Sequence, residues 1–298
     1  MAMPVNNAGD PFNAGFQQAG RMKGKRTCAH TYCVLKNIYN LVKKIMSTIL
    51  ITGATSGFGK ACAEKFASAG YRLILTGRRE ERLMLLRDVL KKQFNTEALI
   101  LPFDIRDQQA MSDMLATIPD DFLPIDILLN NAGLAAGRDF FQDASIDDWE
   151  QMIDTNLKGL LYITKAIIPG MIERRSGHII NISSLAGAEV YPQGNVYCAT
   201  KHAVTALSKG MRQDLLQYGI RVTNISPGLA ETEFSLVRFK GDAEKASGVY
   251  AGFEPLHAAD VAEIIYFAAS RPAHVNLEEI TILPTAQSDA GTVVRNVR

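Results

Sequence analysis

The sequence predicts an α/β fold built on one parallel β-sheet of about seven strands with helices on both faces. Apolar segments of strand length alternate with segments of helical spacing from residue 48 to residue 283. The strand segments are apolar without interruption, as in Leu73-Ile74-Leu75, which indicates burial on both faces. Regular alternation implies right-handed βαβ crossovers, and these join parallel strands into a doubly wound sheet.

The elements follow one another in order along the chain. Apolar runs of strand length lie at residues 48–52, 71–76, 98–102, 125–130, 177–183, 219–225 and 277–283. Residues with helical spacing lie at about 58–69, 80–94, 107–117, 146–174, 195–217 and 258–270. No Pro/Gly/Ser-rich linker divides this region. We therefore predict one domain over residues 46–298, and we expect a lid segment within it at about 229–256.

The first 45 residues differ from the rest of the chain in charge and in hydrophobic pattern. They carry seven basic side chains and one acid, so their net charge is +6, and they show no sustained apolar period before residue 34. We predict an N-terminal extension over residues 1–45, disordered or non-native, with Met46 as the natural start. A targeting segment remains an alternative, and so does a short basic helix at 34–45 that binds a membrane surface or a partner.

Composition excludes several classes of function. Residues 46–298 hold 25 basic and 30 acidic side chains, so their net charge is −5, which argues against a nucleic-acid surface. No apolar run is long enough to span a bilayer. The four cysteines have neither metal-ligand nor disulfide-framework spacing, so we expect reduced thiols, no metal site and a cytoplasmic location.

A glycine-rich turn follows the first strand. It reads Thr52-Gly53-Ala54-Thr55-Ser56-Gly57-Phe58-Gly59 and leads directly into a helix. Glycines allow a tight turn and let backbone N–H groups approach a pyrophosphate at the helix N-terminus. The turn therefore predicts a Rossmann-type dinucleotide site formed by Gly53, Thr55, Ser56, Gly57, Phe58 and Gly59. A glycine-rich connection without a ligand is the alternative.

Two arginines follow the second strand. NAD enzymes usually place an acid at this strand end to bind the ribose 2′-hydroxyl, whereas this chain has Arg78 and Arg79. A guanidinium group matches a phosphate with two parallel hydrogen bonds. The pair predicts NADP as the cofactor. Alternatively, both arginines belong to a solvated helix start and pair with Glu80 or Glu81.

A tyrosine and a lysine stand one helical turn apart at Tyr197 and Lys201. An ammonium group nearby is expected to lower the pKa of a phenol, so that Tyr197 can exchange a proton with an alcohol or carbonyl oxygen. Ser184 closes the fifth strand thirteen residues upstream of Tyr197, where its hydroxyl could bind the substrate oxygen. A cap of the following turn is the alternative role for Ser184.

These motifs together resemble those of the short-chain dehydrogenase/reductase family over essentially all of residues 47–290. Asn130-Asn131-Ala132-Gly133 and Pro227-Gly228 extend the match. The resemblance implies that Asn156 is a fourth catalytic residue and that Lys201 holds the nicotinamide ribose. It also implies further cofactor contacts at Asp104, Ile105, Asn131, Tyr197, Pro227, Gly228 and Thr232.

Longer stretches are similar to a subgroup of this family, the NADP-dependent 3-hydroxy acid dehydrogenases. They include 76–83, 149–156, 232–242 and 272–276. The resemblance implies an oxidoreductase acting on a small 3-hydroxy acid or its 3-oxo or semialdehyde form. The alternatives are a broad carbonyl or 3-oxoacyl thioester reductase and an NADP(H)-sensing regulatory protein. The family also implies a homo-oligomer, dimer or tetramer, formed through the helices at 146–174 and 195–217.

A carboxylate on the substrate needs a cationic partner in a partly dry pocket. Arg238, in the predicted lid segment, is our candidate for that contact, next to Ser184 and Tyr197 as residues that bind the reacting oxygen. Arg238 could instead pair with an acid such as Glu233 or Asp242, or hold a subunit contact.

Overall fold

A computed structural model describes residues 46–296 of the chain. The predictions for residues 1–45 lie outside this range. Within it, the strands are β1 (Thr48–Ile51), β2 (Arg72–Gly77), β3 (Ala98–Pro102), β4 (Ile125–Asn130), β5 (Gly177–Ile182), β6 (Ile220–Pro227), β7 (Ala230–Glu231), β8 (Leu256–His257) and β9 (Glu279–Ile282).

Seven of these strands form one parallel sheet in the order β3-β2-β1-β4-β5-β6-β9, which confirms the predicted fold class. The order runs outward from β1 in both directions, so the winding reverses between β1 and β4. In open sheets of this kind a crevice forms at the carboxyl ends of the strands beside that reversal. The remaining strands, β7 and β8, pair with each other near the lid segment.

The helices are α1 (Gly57–Ser68), α2 (Glu80–Phe94), α3 (Gln108–Leu115), α4 (Ile146–Ile153), α5 (Leu160–Glu173), α6 (Asn195–Leu215), α7 (Glu233–Arg238), α8 (Ala243–Gly248) and α9 (Ala258–Ala269). No helix among residues 46–296 has the length and apolar character needed to cross a membrane. α7 and α8 lie within the predicted lid segment, where the sequence has no long period that would have predicted them.

The single helix predicted at 146–174 is interrupted. A π-helical segment, Asp154–Gly159, stands between α4 and α5. π-helical segments are short and often occur at functional sites. Here the segment contains Asn156, and a Cβ on Gly159 would lie 2.8 Å from Cγ2 of Ile105, so the widened turn lets this backbone approach the Asp104-Ile105 loop closely. The interruption was missed because a single π-helical turn between two helices is too short to leave a recognisable sequence pattern.

The core has two layers, one on each face of the sheet. Ile49 and Ile51 of β1 pack with Phe66 of α1 and with α9, whereas Leu50 packs on the opposite face with Ile163 of α5. Adjacent residues of β1 are therefore buried on both sides, as the uninterrupted apolar runs predict. This packing fixes the carboxyl ends of the central strands, from which the loops of the site extend.

Candidate active site

A cleft of about 800 Å³ lies at the carboxyl ends of the central strands. It is lined by most of the residues that the sequence singles out: Gly53, Thr55, Ser56, Gly57, Phe58, Arg78, Arg79, Asp104, Ile105, Asn131, Ser184, Tyr197, Lys201, Pro227, Gly228, Thr232 and Arg238. Gly59 and Asn156 lie behind this lining. No group of three or more metal-ligating side chains occurs among the residues that the structure describes.

The glycine turn crosses the bottom of the cleft. Gly53 and Gly57 have φ angles of +66° and +52°, a region that favours glycine. A Cβ on Gly59 would lie 2.4 Å from the carbonyl oxygen of Gly53, so α1 begins directly against the turn. Asn131 holds the turn by donating from Nδ2 to the carbonyls of Thr52 (2.8 Å) and Gly53 (3.1 Å). Its amide therefore supports the turn in addition to lining the cleft.

Arg79 is bound to the glycine turn. Its Nη2 donates to Oγ1 of Thr55 (2.8 Å) and Oγ of Ser56 (3.0 Å), and its Nη1 donates to Glu233 (3.1 Å). Glu233 also accepts from Arg82 at 2.7 Å. Burial alone would raise the pKa of Glu233, but hydrogen bonds from Arg82 and Arg79 lower it overall.

Arg78 faces Asp104 across the cleft, with Nη1 3.8 Å from Oδ2. Asp104 is held more closely by Arg106, at 2.7 Å. Burial raises the pKa of Asp104, yet the hydrogen bonds from Arg106 lower it overall. In the described part of the chain neither Arg78 nor Arg79 pairs with Glu80 or Glu81, so the predicted pairing is wrong: Arg78 pairs with Asp104 and Arg79 with Glu233.

Tyr197 and Lys201 lie on one face of α6, as their spacing predicts, and both are almost fully buried. Nζ of Lys201 is 5.9 Å from the centre of the Tyr197 ring and donates to the carbonyl of Ile182, at the end of β5, at 2.9 Å. The hydroxyl of Ser184 donates to the carbonyl of Pro227 at 3.5 Å and lies close enough to the Tyr197 phenol to lower its pKa. These contacts bring the phenol, the ammonium and the serine hydroxyl together at the end of β5.

Ser184 also caps the short turn Leu185–Gly187, because its Oγ accepts the N–H of Ala186 at 3.1 Å. The alternative role is therefore observed alongside the contact to Tyr197. The neighbouring Ser183 does not cap the turn; its hydroxyl donates to the Lys201 carbonyl at 3.0 Å. The cap fixes the Ser184 rotamer that faces the cleft.

The expected effect of Lys201 on Tyr197 is not observed. Burial raises the pKa of Tyr197 above its ordinary value, and the hydrogen bond from Ser184 and the charge of Arg238 oppose this only in part. Burial lowers the pKa of Lys201 to about 8. The prediction that the pKa of the Tyr197 phenol is lowered is therefore wrong for this structure. The spacing of Tyr197 and Lys201 in the sequence places the ammonium nearby, but it does not show that the phenol is removed from solvent. Tyr197 is neutral and carries its proton at neutral pH.

The buried ammonium predicts a pH-dependent difference in stability for Lys201→Met. The folded pKa of Lys201, about 8, lies below the ordinary lysine value of 10.5, so the unfolded wild type binds more protons between these values. Wild-type stability should therefore rise with pH through this window, by up to about 3 kcal/mol relative to the variant. Urea unfolding of both proteins at either end of this pH range measures the difference in their free energies of unfolding. Parallel pH profiles for the two proteins would contradict the prediction.

Asn156 clamps the π-helical segment to its surroundings. Oδ1 accepts the N–H of Leu134 (2.8 Å), and Nδ2 donates to the Leu134 carbonyl (2.8 Å) and to Oγ1 of Thr200 (3.1 Å). A Cβ on Gly133 would lie 3.3 Å from Oδ1 of Asn156 and 3.5 Å from Nζ of Lys201. The asparagine side chain therefore positions the backbone near Lys201 and does not face the open cleft.

Arg238 reaches the cleft from the end of α7. Its Nη1 donates to the hydroxyl of Tyr191 (3.1 Å) and its Nε to the carbonyl of Gly137 (3.4 Å). Its guanidinium carbon is 5.4 Å from the centre of the Tyr197 ring. Within residues 46–296 it has no carboxylate partner.

The proposed acidic partners of Arg238 are engaged elsewhere. Glu233 binds Arg79 and Arg82, and Asp242 binds Lys245 at 3.2 Å. The alternative of an ion pair with either acid is therefore wrong.

Three residues that line the cleft were not identified as site residues from the sequence: Tyr191, Glu233 and Gln287. Arg82, which pairs with Glu233, was also missed. Gln287 is buried after β9, and its Oε1 accepts the N–H of Leu229 at 2.8 Å, next to Gly228. Only one of the four carried a usable signal: Arg82 stands one helical turn after Arg79. The other three reach the cleft through tertiary structure alone.

Comparison with known proteins adds three findings. The family model "short chain dehydrogenase" matches residues 47–242. The chain is 48% identical over 247 residues to the NADP-dependent 3-hydroxy acid dehydrogenase YdfG of Salmonella typhi, which covers 83% of this chain and 98% of that protein. It is 46% identical over 241 residues to sulfoacetaldehyde reductase 2 of Chromohalobacter salexigens, covering 80% of this chain and 95% of that protein.

Two solved structures also match most of the chain. The closed form of serine dehydrogenase complexed with NADP⁺ is 47% identical and superimposes with a TM-score of 0.78 over 83% of this chain and 99% of that one. Serine dehydrogenase from Escherichia coli is 43% identical, with a TM-score of 0.71 over 81% of this chain and 99% of that one.

Proposed function

Because the chain belongs to the short chain dehydrogenase family, we propose that it is an NADP-dependent oxidoreductase. Its substrate is a small 3-hydroxy acid or the corresponding 3-oxo acid or semialdehyde. One observation carries the proposal: the buried phenol of Tyr197 lies beside Arg238, a cation without an acidic partner in the described chain, in the cleft that contains the glycine turn. A proton donor next to an anion-binding group suits a carbonyl compound that bears a carboxylate.

The cleft has the features that a phosphorylated dinucleotide needs. The absence of a Cβ at Gly59 lets α1 begin directly against the glycine turn, and the N-terminus of α1 at Gly57 lines the cleft, where its free N–H groups suit a pyrophosphate. Arg78 and Arg79 add fixed positive charge at the end of β2. NADPH, when bound, supplies the hydride for carbonyl reduction.

The protein's own residues handle the proton and the orientation of the substrate. Tyr197 gives its phenolic proton to the carbonyl oxygen during reduction and takes it back from the alcohol during oxidation. Ser184, held by its cap to Ala186, binds the same oxygen. Lys201 places its ammonium 5.9 Å from the centre of the Tyr197 ring and would hold the cofactor ribose. Asn156 holds the backbone around Lys201 through Leu134.

Arg238 binds the substrate carboxylate in this proposal, so Arg238→Ala should raise KM for 3-hydroxypropionate by about 10- to 100-fold, the effect of losing a charged hydrogen bond. KM for NADP⁺ should change little. Steady-state kinetics measures both. The control is Lys240→Ala, which removes another cation of the lid segment. Lys240 is paired with Asp148 and does not line the cleft. An unchanged KM in Arg238→Ala would exclude this contact.

The function is tested by kinetics of the wild type with NADP⁺ and NAD⁺ against a panel of small hydroxy acids, and with NADPH against malonic semialdehyde and an acetoacetyl thioester. We expect turnover of the 3-hydroxy acids and the semialdehyde with NADP(H). Faster turnover of the thioester, which lacks the carboxylate, would favour a 3-oxoacyl thioester or broad carbonyl reductase. Cofactor binding without turnover would favour an NADP(H)-sensing regulatory protein.

We also propose that the enzyme works in the cytoplasm as a homo-oligomer, either a dimer or a tetramer. Cys62 and Cys198 are free and buried, which suits a reducing compartment. Large apolar side chains are exposed at Ile153 and Leu161, on either side of the π-helical segment. A second copy of the chain would cover them.

A further inference from the structure

Glu233 places a negative charge between two arginines beside the cleft, Arg79 and Arg82. It is the first residue of α7, and its carboxylate accepts hydrogen bonds from both Arg79 and Arg82, at 3.1 and 2.7 Å. Arg79 is also bound to the glycine turn through Thr55 and Ser56. One side of the Arg79 guanidinium thus faces the turn and the other faces an acid of the lid segment.

The lid segment rests directly on the glycine turn at this point. A Cβ on Gly57 would lie 3.5 Å from Cβ of Thr232, the residue before Glu233. The Thr232 hydroxyl caps α7 by accepting the N–H of Phe234 at 3.2 Å, which fixes the direction in which α7 begins. Glu233 therefore stands beside the end of β2, where the proposed function places the 2′-phosphate of the cofactor.

We propose that Glu233 is a specificity-determining residue that weakens binding of the 2′-phosphate and so limits the preference for NADP(H) over NAD(H). The inference depends on the proposed cofactor site. A carboxylate at this position neutralises part of the positive field of Arg79 and Arg82. A phosphate that approaches Arg79 must either displace this carboxylate or share the guanidinium with it, and two anions at such short range repel each other.

Glu233 has a second effect, which must be separated from the first. Its ion pairs also join the lid segment to α2, so its loss weakens closure of the lid over any nicotinamide cofactor. That effect is common to NAD⁺ and NADP⁺, which differ only in the 2′-phosphate. The ratio of the two dissociation constants therefore cancels the effect on the lid and reports only the effect of Glu233 on binding of the 2′-phosphate.

The test is calorimetric titration of the full chain with NADP⁺ and NAD⁺, and with adenosine 2′,5′-bisphosphate and AMP, which lack the nicotinamide. In Glu233→Gln we expect the ratio of the NAD⁺ to the NADP⁺ dissociation constant to increase by about three- to tenfold at low ionic strength, and less at high salt. The ratio for AMP and the bisphosphate should change in the same direction. Glu233→Asp, which keeps the charge, should remain near the wild type.

Glu263→Gln is the matched control, because Glu263 is a surface glutamate paired with Lys65 outside the cleft, and its ratios should not change. An unchanged or lower ratio in Glu233→Gln would overturn the inference; a lower ratio would mean that Glu233 orients Arg79 for the phosphate. Wild-type protein that binds NADP⁺ but turns over no 3-hydroxy acid would refute the proposed substrate and leave the inference intact. Wild-type protein that binds none of the four ligands would refute both.

Discussion

Tyr197→Phe is expected to lower kcat by about 10²- to 10⁴-fold, the usual contribution of a positioned acid or base. The variant lacks only the phenolic oxygen, which the proposed mechanism uses to exchange a proton with the substrate. The ring still packs against Phe234, with centroids 5.7 Å apart, so the cleft keeps its shape. Removal of one hydroxyl should change the free energy of unfolding by no more than about 1 kcal/mol. Steady-state kinetics and urea unfolding measure the two effects.

Tyr218→Phe provides the matched control for this variant. Tyr218 lies after α6 and outside the lining of the cleft, so its loss of a hydroxyl should leave kcat unchanged. NADP⁺ should bind Tyr197→Phe with nearly wild-type affinity. Turnover within a factor of about two of the wild type would remove Tyr197 from the proton transfer, since even a weak acid or base contributes more.

Gly59→Ala is expected to abolish detectable cofactor binding and to lower Tm. The new Cβ would lie 2.4 Å from the carbonyl oxygen of Gly53 and 2.6 Å from Nδ2 of Asn131. One neighbour is backbone, and the other is the side chain that holds the glycine turn, so the turn must move. A displaced turn loses the alignment of its N–H groups toward the pyrophosphate. Overpacking of this kind typically costs about 1–3 kcal/mol of stability as well.

The control is Gly210→Ala, in the middle of α6, where an added Cβ would meet no atom within 4 Å. Alanine there should be neutral or should stabilise the helix by about 0.5–1 kcal/mol, because glycine has a low helix propensity. Calorimetric titration with NADP⁺ and thermal unfolding compare the two variants. Wild-type affinity in Gly59→Ala would show that the turn does not bind the cofactor.

The sheet could be predicted from the sequence because its strands are buried on both faces and so appear as uninterrupted apolar runs. The π-helical segment at Asp154–Gly159 could not, because a single irregular turn between two helices is too short to give a period of its own. The two-residue strands β7 and β8 are too short to show any period. Their place in the fold depends on tertiary contacts.

The parts of the site that lie close together in sequence were predicted, namely the glycine turn, the arginine pair and the tyrosine with its lysine. Glu233 and Tyr191 were not, because each meets its arginine through a contact of long sequence separation, 154 residues for Glu233 with Arg79 and 47 for Tyr191 with Arg238. The direction in which the Tyr197 pKa shifts also could not be predicted from the sequence. It depends on the loss of solvent around the phenol, which the helical spacing of Tyr197 and Lys201 does not show.

The most direct test of the central claim is transfer of an isotopic label. Wild-type protein is incubated with malonic semialdehyde and NADPH carrying deuterium on the transferred position of the nicotinamide, and the product is analysed by mass spectrometry. The account predicts 3-hydroxypropionate with one deuterium bound to carbon 3, formed slowly or not at all by Tyr197→Phe. Unlabelled product, or equal rates of labelled product from both proteins, would contradict it.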